Sequence, residues 1–444
     1  MAVSNCDDDG SPGTLRTAIE GAADGDTIDM SALACTLIVV RNKPLTSTVP
    51  HLALKGPGAE ALTISGNDAV RVLEGRNLEI ADVTFANGAV SSGFGGACIE
   101  TESDLSLDGV SVANCSNTNP AGSAGGAIAV FGNLTMHHAS ITSSTVSGLY
   151  ADGGGAMVGG TATLYDSTIS GNQAQSALAP TYGGGIFAFG TVTLHASTIE
   201  GNTATSAAYA ASGGGIHSSN GDVSILDGST VSNNSIRSDQ SYAFGGGISV
   251  GTTLTPTGIM TARKSTITGN SASSGCAACL VSGGGVHAFD SIDAAYSTFS
   301  YNEATCDDLT SQCSAGGGGM TAFGQSATSA ISALNTTISG NNAIGGAASF
   351  GAGGGIMGGY GLHIIARNST IAFNDASTLG GGIAASCRQA LGARFDDRCK
   401  QPQRRRRGRH SRGAVRQQAR LRRIARHGHR SRPRRGAAWR HVDR

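Results

Sequence analysis

A phrase of about thirty residues, closing on a run of glycines, returns ten times between residues 77 and 386. The glycine signature ends at Gly96, Gly126, Gly155, Gly185, Gly215, Gly247, Gly285, Gly319, Gly355 and Gly382. The steps between them are 30, 29, 30, 30, 32, 38, 34, 36 and 27 residues. Such a period makes each unit one supersecondary element that buries its apolar face only against its neighbours. The chain therefore folds as an array of stacked copies rather than as the several independent domains that 444 residues could hold.

Each unit carries three short alternating segments, of the kinds T-L-T-L, S-T-I-S and G-I-x-A, as in residues 161–190. Alternation with β-branched members marks strands with one buried face. No 3.6-residue period occurs within a unit, so helical arrays are excluded. Three strands plus turns make one coil, with the remaining residues in a loop. The expected fold is an all-β, right-handed parallel β-helix of ten or more coils, about 50 Å long at ~4.8 Å per strand spacing. Asn172, Asn202, Asn234, Asn270, Asn302, Asn341 and Asn374 each follow an apolar strand residue by three positions. They are expected to take the left-handed bend and to stack as a hydrogen-bonded ladder. In the coils ending at Asn87 and Asn114 this bend comes one residue early and should differ. The glycine runs supply positive φ and close backbone approach where the chain re-enters a strand. A phosphate loop would need a following helix and a lysine, and neither is present.

Residues 1–30, with an amphipathic segment at 14–23, are expected to cap the open end of the coils, and residues 31–386 to form them. The zero formal charge hides two unlike segments. Residues 388–444 hold 21 of the 31 basic residues and 3 acidic ones, against 10 basic and 28 acidic residues before them. The acidic body repels nucleic acid and anionic lipid. The Arg-rich segment 387–444 is expected to be disordered, either as a basic arm or targeting run or as a frameshift product. Asp396–Arg407 has a permitted back-translation which, shifted by one nucleotide, reads Met-Thr-Gly-Ala-Asn-Asn-Arg-Ser-Gly-Asp-Asp, a composition like that of the repeats. No apolar run approaches the ~18 residues of a membrane span. No signal peptide is visible, through trimming or a misplaced start.

Cys387 and Cys399 fall at or in the Arg-rich segment. The other eight cysteines fall in neighbouring pairs: Cys6 and Cys35, Cys98 and Cys115, Cys276 and Cys279, Cys306 and Cys313. Disulfides in an oxidising compartment are expected. Free thiols stay open for all eight, and half a zinc site or a redox pair for Cys276 and Cys279.

The repeat resembles those of bacterial right-handed parallel β-helix proteins. The opening residues Val3–Asp7, Gly13–Ile19 and Gly25–Ile28 resemble the CSLREA-type N-terminal region of such exported proteins. Gly125-Gly126-Ala127-Ile128 and Phe299-Ser300-Tyr301-Asn302 are similar to the GGAI and FxxN motifs of polymorphic outer-membrane autotransporter adhesins. This resemblance implies a secreted or cell-surface location.

Two functional classes follow. The first is a non-catalytic structural or adhesin-like protein presenting loops to a glycan or protein. Its candidate binding edge is Tyr150, Tyr182, Tyr209 and Tyr242, on four consecutive loops between the Asn and the glycine run. Each tyrosine could equally cover its own loop. A second stripe, Phe187, His217, Ser249, His287, Thr321 and Met357, is expected to face outward. The second class is a polysaccharide lyase or hydrolase of the pectin-degrading β-helix type, which needs paired carboxylates or a carboxylate-held cation with a basic group. After residue 76 only Arg237, Arg263, Lys264 and Arg367 supply positive charge before Arg388. Asp166, Asp227, Asp290 and Asp293 do not recur on adjacent coils, and the seven histidines before Arg388, His137 and His138 among them, show no carboxylate partner. No catalytic, metal or cofactor residues are therefore assigned.

Overall fold

The computed structural model describes residues 1–385 apart from 253–256, 325, 327, 348 and 360. Expectations for the Arg-rich segment, Cys387 and Cys399 fall outside the described residues.

Three parallel sheets of twelve strands each wind around one interior. The first runs from Asp26–Asp29 to His363–Arg367, the second from Leu37–Val39 to Thr370–Ala372, and the third from Leu45–Thr46 to Ile383–Ala385. Strands pair residue for residue with those one repeat away, so like side chains stack in columns. Ile169 lies over Ile199, which is followed by Val231, Ile267, Phe299, Ile338 and Ile371. Leu164, Leu194 and Ile225 form the matching column of the first sheet, and Ile186, Ile216, Ile248 and Val286 that of the third. All of these except Ile371 are buried in one apolar cluster, on which Ile371 packs partly buried. Burying each such side chain contributes roughly 1.5–3 kcal/mol, none of which a lone coil could gain.

The structure departs from three strands per coil. Two more parallel sheets occupy the segment expected to be a loop: a fourth of ten strands, Ala89–Val90 to Asp375–Ala376, and a fifth of eight, Ser123–Ala124 to Gly351–Ala352. In a central coil the chain passes through Ala162–Tyr165, Thr168–Ser170, Gln173–Ser176, Thr181–Tyr182 and Ile186–Ala188, in the first, second, fourth, fifth and third sheets. The fourth and fifth sheets form an arm with its own thin interior of Ala204, Ala211, Ile236, Ala243, Ala272, Val281, Ala304 and Ala315. Alanine on both inner faces lets the two layers close tightly, and it also deprives the segment of the β-branched signal that marks a strand.

The asparagines sit where the chain turns from the second sheet into the arm. Asn202 Oδ1 accepts the backbone N–H and the side-chain amide of Asn172, both at 3.0 Å. Its own amide donates to Ile169 O and to Asn234 Oδ1, at 3.0 and 2.9 Å. The pattern repeats through Asn234, Asn270, Asn302 and Asn341 to Asn374. The left-handed residue, however, is the one before each asparagine: Gly171, Gly201, Asn233, Gly269, Tyr301, Gly340 and Phe373 have φ between 55° and 68°. The ladder asparagines are fixed by their amide bonds rather than by turn geometry. In the shorter early coils Asn87 and Asn114 themselves take the bend, at φ 52° and 56°. The ladder column there holds Cys115 and Ser144, with Cys115 N–H bonded to Ser144 Oγ and Ser144 N–H to Asn172 Oδ1.

The glycine runs serve two needs. The glycine two places before the last of each run, Gly153, Gly183, Gly213, Gly245, Gly283, Gly317 and Gly353, has φ of 60–70°. The next meets neighbouring backbone: a Cβ on Gly184 would lie 2.3 Å from Gly214 O.

At the N-terminal end one helix, Leu15–Glu20, begins at Thr14, whose hydroxyl accepts the Thr17 N–H. Leu15, Ala18 and Ile19 join the main apolar cluster. Arg16 is buried beside them, paired with Asp8 at 2.7 and 2.8 Å and donating to the carbonyls of Pro44 and Lys43, both at 2.9 Å. The four neighbouring cysteine pairs are closed as disulfides, Cys6–Cys35, Cys98–Cys115, Cys276–Cys279 and Cys306–Cys313.

Candidate binding edge

The outer turn of the arm joins the fourth sheet to the fifth, and a serine column pins it. Ser206 Oγ lies 2.8 Å from Ala179 O, on the turn before, and accepts the Tyr209 N–H of its own turn at 3.0 Å. Ser238 bonds in the same way to Tyr209 O and Ser241 N–H, and Ser274 to Ser241 O and Cys276 N–H. Each tip is thus tied to the one before it. Outside these turns, one to four residues past the ends of the strands, stand Leu149, Leu178, Tyr209, Tyr242 and Leu309. They are 45–62% exposed. The intervening rung carries the Cys276–Cys279 bridge instead. Tyr209 and Tyr242 thus lie on the edge. Tyr150 and Tyr182 are only half-exposed. Tyr150 lies against Gly122, where a Cβ would come within 2.2 Å of its ring, and Tyr182 stacks on Phe187 and His217 at 5.8 and 4.7 Å. Leu149, Leu178 and Leu309 could not be singled out from sequence, because each sits at a slightly different offset in a turn of different length.

The second stripe is overturned. Phe187, His217, Ser249, His287, Thr321 and Met357 are buried, each 8% exposed or less. They do point away from the central interior, but the arm lies over them, and the fifth sheet presents Asp152, Tyr182, Ser212, Phe244, Ser282 and Gly316 to them. Rings and small side chains interdigitate across this second interior. His217 faces Ser212, Phe244 stacks on His287 at 4.7 Å, and a Cβ on Gly316 would collide with Met357. Ser212 donates to Ser249 at 2.8 Å, so His217 Nδ1, 3.1 Å away, donates to Ser212 and its Nε2 has no partner. His287 Nε2 is likewise unpartnered, with Nδ1 3.1 Å from Ser282 Oγ. Burial lowers both imidazoles to about 3. Burial also pushes Asp152 up to about 7, against a single opposing hydrogen bond from Tyr182 N–H.

The outer face of the first sheet offers a different surface. His137, Tyr165 and His195 stack as parallel rings at 4.6 and 4.9 Å. A depression of about 420 Å³ near its start is lined by residues including His51, Asn77, Glu79, Asp104, Ser106 and Asn133. Contrary to expectation, three histidines do face carboxylates: His51 with Asp24 at 3.0 Å, His138 with Asp108 at 3.6 Å and His195 with Asp227 at 2.7 Å. Asp293 pairs with Arg263. Among the described residues no group of three or more His, Cys, Asp or Glu side chains stands ready to hold a metal, and no helix is long and apolar enough to cross a membrane.

Parallel sheets in register around one interior, turned by asparagine and glycine columns, define a right-handed parallel β-helix repeat protein. A family model described as the right-handed beta helix region matches residues 57–236. No curated protein and no solved structure matches the chain.

Proposed function

We propose that this protein is an extracellular or bacterial cell-surface β-helix whose arm edge makes adhesin-like, non-catalytic contact with a protein partner or glycan. One observation carries the reading: five of six successive arm turns expose a large apolar side chain, and serine hydroxyls tie the first five of the six turns rung to rung. A contiguous exposed apolar strip is a mark of an interaction surface. Holding it on a rigid scaffold lowers the ordering cost of association. Leucine beside tyrosine favours an apolar patch on a protein over a sugar face, and the acidic body disfavours polyanions.

The test is a binding screen of the chain against extracellular-matrix proteins and glycans, run beside Leu178→Ser, Tyr209→Ser and Tyr242→Ser. Each variant should weaken a genuine hit about tenfold or more, the loss of ~1.4 kcal/mol that a hot-spot truncation produces. The exposed Asn220→Ala should leave it unchanged. Equal binding by all variants removes the edge from consideration. The second reading, a polysaccharide lyase or hydrolase, would use the depression, where Glu79, Asp104 and His51 gather. Cleavage of uronate polymers that Glu79→Gln abolishes would favour it.

A further inference from the structure

Two of the four disulfides among the described residues lie on consecutive rungs of the arm, and the strand register brings them together. In the fifth sheet Leu280 pairs with Ser314. Cys279 and Cys313, one residue earlier on each strand, are therefore neighbours in one column. Ser314 N–H donates to Cys279 O and Gln312 N–H to Ala277 O, both at 2.8 Å, so the two turns are zipped along their length. In the fourth sheet Cys306 pairs with Ser274, two residues before Cys276. Cys306 and Cys313 are fully buried between the arm sheets, and Cys276 and Cys279 are part-exposed above them. The sequence offers Cys276-x2-Cys279 with no second pair of that kind; the coil brings Cys306-x6-Cys313 beside it.

The bridged Cα atoms are 5.7 and 5.9 Å apart, and adjacent strands are separated by about 4.8 Å. A zinc ion at ~2.3 Å from each of four thiolates needs sulfurs only ~3.8 Å apart. With the two S–S bonds open, rotation about the Cα–Cβ bonds is what must bring the four sulfurs to that range. We propose that, once both bridges are reduced, Cys276, Cys279, Cys306 and Cys313 form a tetrahedral tetrathiolate site for a thiophilic divalent cation, zinc above all. With a phosphine reductant each S–S bond breaks as one water delivers its oxygen to phosphorus and two hydrogens to sulfur. Zinc then forms four Zn–S bonds and displaces four protons. While the bridges are closed the sulfurs are not ligands, so the site exists in one redox state only. This inference does not depend on the arm edge binding a partner.

The experiment uses the full chain carrying Cys387→Ser and Cys399→Ser, reduced anaerobically with a phosphine, loaded with zinc and desalted. One zinc per chain should be retained, and none by the oxidised protein. Cobalt(II) in place of zinc should give the charge-transfer and ligand-field bands of a tetrahedral thiolate site. Cys276→Ser and Cys306→Ser should each weaken binding by more than the roughly 100-fold that loss of an outer-shell partner costs. Cys98→Ser should not change it. Circular dichroism of each reduced variant shows whether the coils persist. No zinc retained by folded, reduced protein overturns the proposal. So does loss of the arm on reduction, or retention that survives Cys306→Ser combined with Cys313→Ser.

Discussion

Replacing Asn234 with alanine removes four hydrogen bonds from a site shielded from water. Asn234 Oδ1 accepts Asn202 N–H and Asn202 Nδ2–H at 3.0 and 2.9 Å, and its amide donates to Ile199 O and Asn270 Oδ1 at 3.0 Å. Counted as four bonds of about 1 kcal/mol net each, the loss is about 4 kcal/mol; counted instead as the two donors stranded on Asn202, which no water reaches, at about 1–3 kcal/mol apiece, it is roughly 2–6. The expected loss is therefore about 4 kcal/mol, within a range of roughly 2–6. Asn234→Asp keeps the acceptor and, while protonated, one of the two donors. Its carboxyl would stay protonated to spare the carbonyl of Ile199, so its penalty should grow as pH rises. Urea unfolding followed by circular dichroism measures the total. Hydrogen exchange should localise the loss to the rungs spanning residues 198–270, because each rung leans on its neighbours. If Asn234→Ala falls within about 1 kcal/mol of Asn220→Ala, a solvent-facing control, the ladder is ornamental and the reasoning fails.

The second interior makes stability respond to pH in two directions. His217 and His287 hold pKa values of about 3 against 6.5 when unfolded. Their stabilisation is complete above pH 6.5 and is lost on acidification towards 3, by up to ~1.4 kcal/mol per pH unit for each; a double phenylalanine variant should flatten that limb of a melting-versus-pH curve. Asp152, raised from 3.8 to about 7, acts oppositely: the folded state keeps its proton, so stability falls as pH rises between these values. Asp152→Asn should therefore stabilise the protein at pH 8, by up to ~4 kcal/mol, and change little at pH 4 in a calorimetric comparison. Opening Cys98–Cys115, which closes a loop of 17 residues, should cost about 3 kcal/mol in urea unfolding of Cys98→Ala with Cys115→Ala.

The central coil was legible because its strands use Ile, Val, Leu and Thr in strict alternation, as in Thr168-Ile169-Ser170, and because glycine and asparagine mark the corners. The disulfide partners were legible as neighbours in sequence. The arm was not. Gln173–Ser176 and Ala211–Ser212 are two to four residues of small side chains, too short and too weakly apolar to announce strands. Missing the arm sent His217 and its column to the surface, for alternation reveals which residues share a face but not whether a further layer covers it. The carboxylate partners of the histidines escaped for a different reason: they lie about thirty residues away in sequence and one rung away along the first sheet.

Spin-label distances test the stacking of coils most directly. Thr168, Thr198, Thr230, Thr266, Thr298 and Thr337 face outward on six successive strands of the second sheet. With cysteine-linked labels at Thr168 and at one other position, in a chain whose Cys387 and Cys399 are serine, separations should climb in equal steps. They should be about 14 Å to Thr266, 19 Å to Thr298 and 24 Å to Thr337, at ~4.8 Å per rung. Distances that fail to rise by one step per repeat, or a Thr168–Thr337 separation beyond about 35 Å, would contradict coils piled in register.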